Sequence, residues 1–136
     1  MTARAALLTV ALAAPAGAQE APPVPAALPS GQNLTGHDTA LERQADGQML
    51  LVLRYLAPRI AREGGDLGYD DVAGDLDVLC EAPGRALAAQ AAAQGTAPDQ
   101  IVIALMDRPV PRGTADPNAT VFMAAYGVGP EGCEWR

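Results

Sequence analysis

Apolar and polar positions change rhythm several times along the chain, and each change marks an element. Leu34 to Gln44 is moderately polar, Ala45-Asp46-Gly47 is a turn signal, and Met49 to Ala57 is strongly apolar, with Leu51, Leu53 and Tyr55 at alternate positions. A period of two puts those three side chains on one face of a strand, and Asp-Gly between two such runs predicts a hairpin. The opposite face, with Val52, Arg54 and Leu56, is mixed and so only partly wet. Pro58 ends the strand, because it has no N–H to give the ladder. Glu63-Gly64-Gly65-Asp66 then reads as an exposed turn.

From Asp70 the period becomes helical, with Val72, Leu76, Leu79, Cys80, Pro83 and Leu87 at three- and four-residue steps. Asp70, Asp71, Asp75 and Asp77 crowd the first turns, where the helix dipole favours acids. Pro83 removes an internal hydrogen bond and predicts a kink. An alanine-rich second segment, Arg85 to Gln94, runs up to Gly95, a residue suited to stopping a helix. Ile101 to Met106 is apolar on both faces and reads as the central strand. Arg108 to Pro117 is a loop stiffened by Pro109, Pro111 and Pro117. Residues 118–126 are ambiguous, since Asp116-Pro117 resembles a helix start whereas Thr120-Val121-Phe122 and Tyr126 prefer a strand. A strand, a turn at Gly129-Pro130-Glu131-Gly132 and a short last strand through Cys133 is the preferred reading, because it brings Cys133 within reach of the helix. The predicted fold class is α+β, a single antiparallel sheet of four to five strands with one long kinked helix packed on one face.

Ahead of these elements, Arg4, the apolar run Ala5 to Ala14 and the Ala16-Gly17-Ala18 end form the three parts of a cleavable secretory signal over residues 1–18. The run is too short to span a bilayer, which takes about 20 residues. Residues 19–30 carry Pro22, Pro23, Pro25 and Pro29 among alanines and read as a linker, leaving residues 31–136 as one small domain. The expected location is periplasmic or secreted, with no transmembrane segment once the signal is removed. In that compartment Cys80 and Cys133, the two cysteines of the chain, are expected to form a structural disulfide. A redox pair is the alternative, but it lacks Cys-x-x-Cys spacing.

Charge narrows the function classes. Sixteen acidic residues stand against nine basic ones, all arginine, for a formal charge of −7. Phosphate backbones repel such a chain, so nucleic acid is excluded as a partner, and without lysine there is neither a Schiff base nor a P-loop. The single histidine, His37, has no triad motif around it, and two cysteines with one histidine cannot supply four zinc ligands. The expectation is therefore no enzyme, no catalytic residue and no cofactor. The acidic cluster from Asp70 to Asp77 could chelate calcium, but its spacing departs from the EF-hand loop and a solvated helix start explains it as well. More site-like is the loop carrying Asp107, Arg108, Arg112 and Asp116, in which rigid prolines hold charged groups at the end of a central strand. Its arginines could bind a carboxylate or phosphate; alternatively Asp107 pairs with Arg108 and Asp116 caps the next turn.

One resemblance runs through the chain: Pro29-Ser30-Gly31-Gln32, Leu53-Arg54-Tyr55-Leu56-Ala57-Pro58 with Ile60-Ala61-Arg62, Leu79-Cys80, Pro98-Asp99-Gln100-Ile101-Val102-Ile103, Asp107-Arg108-Pro109 and Cys133-Glu134-Trp135. In these strings it resembles a family of small secreted alphaproteobacterial proteins of unknown function, a domain of unknown function. The resemblance implies an exported single domain with two paired cysteines, and it brings no activity and no catalytic residues. Relatives sometimes bear an acetolactate synthase label, read here as a transferred error, since that chemistry needs large domains around thiamine diphosphate. Two classes remain open. One is a non-enzymatic periplasmic interaction or accessory module with an unknown protein partner. The other is a small-ligand or metal-binding protein using the Arg108/Arg112 loop or the Asp70–Asp77 cluster.

Overall fold

The computed structural model describes residues 20–136, so the expected signal at residues 1–18 lies outside the described residues. Strand β1 (Thr35–Arg43) turns through Gly47, at φ +87°, into β2 (Met49–Leu56). The hairpin is therefore where Asp-Gly predicts it. A short 3-10 turn, Pro58–Ile60, follows, then α1 (Tyr69–Leu79), a π-helical turn (Cys80–Gly84) and α2 (Arg85–Ala93). Strands β3 (Gln100–Met106), β4 (Val121–Gly129) and β5 (Gly132–Trp135) complete the chain. Residues 121–126 are thus strand, and the α+β class holds, with five strands and one long kinked helix.

The sheet is mixed rather than wholly antiparallel. Its order is β1-β2-β3-β4-β5, and β2 runs parallel to β3 while every other neighbouring pair is antiparallel. The physical reason is the helical connection, which carries the chain back to the starting end of β2 before β3 begins. Asp99 fixes that return: its N–H donates to the Met49 carbonyl at 2.8 Å and its carboxylate accepts the Met49 N–H at 2.7 Å.

One face of the sheet carries the core. Leu53, Tyr55, Ile101, Ile103 and Leu105 pack against Val72, Leu76, Leu79 and Cys80, all fully buried, the stripe that the helical period predicts. Pro83 lies in the π turn, where it interrupts the helix without ending it. Gly84 in the same turn is set so close to the Leu79 carbonyl and to Ile101 that a side chain there would crowd both.

The proline-rich stretch expected to be a linker is packed on the domain. The Pro22 carbonyl lies where a Cβ on Gly36 would be, so Gly36 admits it. The Tyr55 hydroxyl donates to the Pro23 carbonyl at 2.9 Å, and Leu28 is in the core. The stretch then reaches α1, where the fully buried Asp75 accepts the Ser30 N–H, the Ser30 hydroxyl and the Gln32 amide. Proline-rich composition denies a segment its own ladder, but it does not keep it off a surface that offers donors and acceptors in the right places.

Candidate functional site

The disulfide forms as expected. Cys80 in the π turn and Cys133 on β5 are bonded, with Cα atoms 6.3 Å apart. Register explains the reach, since Cys133 pairs with Val128 on the helix-facing side of the sheet. Beside it, Glu81 accepts the Cys133 N–H at 2.6 Å, and Asp77 accepts the Tyr126 hydroxyl at 2.7 Å and the Trp135 indole N–H at 3.1 Å. Burial, then the hydrogen bond to Asp77, pushes the Tyr126 phenol well above its usual range. Trp135 stays 54% exposed, because β5 is an edge strand with helix on one side only.

The acids of α1 do not converge. Asp71 accepts the Gly68 N–H at the helix start, Asp75 is buried under the Ser30 segment and Asp77 faces the C-terminal strand, while Asp66, ahead of the helix, pairs with Arg59. Among the described residues no group of three or more His, Cys, Asp or Glu is placed to hold a metal ion.

The four residues of the proline-stiffened loop also separate. Asp107 accepts from Arg108 at 2.8 Å and from the Thr120 N–H at 2.7 Å, and Asp116 accepts the Asn118 N–H at 2.9 Å. Burial raises the Asp107 pKa, but the Arg108 hydrogen bond, the Thr120 N–H and the Arg108 charge outweigh it and hold the carboxyl below its usual range. Arg112 turns the other way, onto the open face of the sheet, where it reaches Asp38 at 2.7 Å and Glu42 at 2.6 Å.

There it meets residues that the sequence reading did not single out. Asp38 on β1 pairs in register with Arg54 on β2, and the Arg54 guanidinium grips both carboxylate oxygens, at 2.7 and 2.6 Å. The same guanidinium donates to the Val110 carbonyl at 2.6 Å and to the Met106 sulfur at 3.5 Å. Arg54 is only 9% exposed. Burial pushes Asp38 upward, but hydrogen bonding from Arg54 and the charges of Arg112 and Arg54 prevail and hold it below the usual carboxylate range. Arg54 in turn is raised, chiefly by its bond to Asp38. A polar residue inside an apolar strand, directly across the hairpin from an acid, is the signal that could have found the pair.

This network fastens the loop over one end of the open face and leaves a cleft of about 200 Å³ beside it. Val52, Ala104 and Met106 form the floor, Val110 and Pro111 one wall, and Val121 and Met123 the other. The floor is buried, whereas Val121 and Met123 are 42% and 57% exposed. Chemically the cleft is an apolar hollow rimmed by charges already joined to one another, which suits shape-based binding more than proton transfer.

Among the described residues no helix is long and apolar enough to cross a membrane. No curated protein and no solved structure matches the chain. A family model described as a family of unknown function, DUF6497, matches residues 7–136. Since that match takes in nearly the whole chain, the protein belongs to the DUF6497 family of unknown function.

Proposed function

We propose that this protein is a non-enzymatic interaction or accessory module of an exported, oxidising compartment, and that it binds through the open face of its sheet. The observation that carries the reading is the contrast within the cleft. Its ionisable groups are bound to one another, while Val121 and Met123 are held out to water by a stiff scaffold. Apolar side chains presented beside a preformed hollow mark recognition surfaces. The Cys80–Cys133 bond supports export, since such bonds persist where the surroundings are oxidising.

In-cell crosslinking tests this. A photoreactive amino acid at position 123 is expected to give discrete adducts, and one at Gln90, exposed on α2, is expected to give none. Equal labelling at both sites, or none at 123, would overturn the reading. A small-ligand role has one observation in its favour, the cleft itself. It predicts a rise in melting temperature with an uncharged apolar probe such as octanol, because a ligand bound only by the native state stabilises it.

A further inference from the structure

We infer that Trp135 and Asp77 form a recognition site for an organic cation, either the guanidinium of an arginine side chain or a quaternary ammonium group. The site lies on the helix-covered side of the sheet, at the β5 edge. It is separate from the open face and goes beyond the docking role proposed there.

The aromatic residues single it out. The chain has one tryptophan, three tyrosines and one phenylalanine. Tyr55 and Tyr126 are buried, Tyr69 and Phe122 are half-buried, and Trp135 alone is exposed. Its ring is nonetheless fixed by three contacts. Register sets it opposite Tyr126, with ring centroids 5.4 Å apart at a 56° tilt. Its indole N–H donates to Asp77 Oδ1 at 3.1 Å. Two residues before it, Cys133 is bonded to Cys80 in the π turn. A ring already held in place adds little ordering cost when a ligand binds.

Charge then selects what the ring takes. Asp77 Oδ1 accepts from both Trp135 and the Tyr126 hydroxyl, and among the described residues Oδ2 has no partner. Glu81, one turn further on, is already engaged by the Cys133 N–H and by Arg85 at 3.3 Å. The Arg136 guanidinium lies over Gly127 on the opposite face of the sheet, so the chain's own last cation does not cover the ring. An indole face is negative above its plane and attracts a cation within about 6 Å of its centre. A carboxylate fixed at the edge of that ring adds a charge-assisted bond to the same cation. Anions are disfavoured by Asp77 and by the formal charge of −7 over the chain. A guanidinium fits best, because it stacks flat on the ring and still offers N–H groups to Oδ2.

Because Trp135 is the chain's one tryptophan, its fluorescence reports on the site directly. The folded protein, at low salt, is titrated with N-acetylarginine amide and with tetramethylammonium, and in parallel with neutral N-acetylcitrulline amide and glucose. The expected result is a saturable change in emission in the low millimolar range with the cations, at least tenfold weaker with the neutral compounds and weakened by added salt. A response to the arginine derivative alone identifies a guanidinium site, and a response to both cations identifies a general cation platform. Asp77→Asn keeps an oxygen for Trp135 and Tyr126 but removes the charge, and is expected to weaken the cations at least fivefold. Asp46→Asn, in the hairpin at the opposite edge of the sheet, is expected to change nothing. No saturation with either cation, equal answers from the neutral compounds, a response that survives Asp77→Asn, or one lost equally with Asp46→Asn would each overturn the inference.

Discussion

The two faces of the sheet are closed by different forces. On the helix-covered face Leu53, Tyr55, Leu76, Leu79 and Ile103 are fully buried, and the polar groups that tie the layers lie at the margins, Asp75 under Ser30 and Gln32, and Asp77 under Tyr126. On the open face a charged cluster holds the covering loop, and apolar Val121 and Met123 remain half in water. Burial of apolar area grows with every contact and closes the first face over its whole extent. Ion pairs act through a few bonds of fixed geometry, so the second face is covered where Arg54 and Arg112 reach and where Val110 and Ala119 of the loop pack on Met106. The difference separates a face closed over its whole extent from one closed in part.

The largest test lies at the edge of the helix-covered face. The Cys80–Cys133 bond closes a 53-residue separation, for which loop entropy gives about 4 kcal/mol. Reduction should therefore lower the melting temperature by roughly 20 °C for a domain of this size. Cys80→Ala should show the same loss in calorimetry and respond no further to reductant. A variant that melts like the parent would remove the disulfide from the account of that face.

Next comes the network on the other face. Arg54→Met leaves Asp38 to Arg112 alone and the Val110 carbonyl without its donor in a mostly buried setting, and should cost about 3 kcal/mol. Hydrogen exchange should show residues 107–119 loosening while α1 keeps its protection. Uniform loosening of both faces would mean they are not separately closed. Gln32→Met removes one of three donors to buried Asp75 and should cost about 1 to 2 kcal/mol, this time with exchange rising along residues 22–32 and α1 instead.

Acid distinguishes the faces more gently. Asp38 has its folded pKa held below the ordinary 3.8, so its stabilising contribution is fully present above that value and is lost as pH falls through the depressed one. Asp107 behaves alike. Below about pH 4 the loop over the open face should therefore exchange faster first. The smallest effect on stability is expected from Met123→Glu, within about 0.5 kcal/mol because the side chain is exposed. Thermal melts would check this, and a larger loss would mean that Met123 belongs to the core.

Much of this was legible along the chain, for reasons that are local. Alternation of Leu51, Leu53 and Tyr55 set one face of β2, Asp46-Gly47 set the hairpin, and the three- and four-residue steps from Val72 to Leu87 set the helix and its kink. An even number of cysteines in an exported-looking chain led to their bond. These signals survive because each depends on neighbours within a few residues or on a pairing with one solution.

What only the tertiary structure decided involves partners far apart in sequence. The parallel pairing of β2 with β3 depends on where a 43-residue connection returns, and no residue in either strand encodes its direction. The docking of Pro22 to Ser30 depends on Gly36, Tyr55 and Asp75, which composition near the prolines does not reveal. Arg112 parts from Arg108 because its acid partners, 70 and 74 residues away, lie on β1. Long side chains choose among charges in space, and sequence spacing constrains that choice only when the partners are close along the chain.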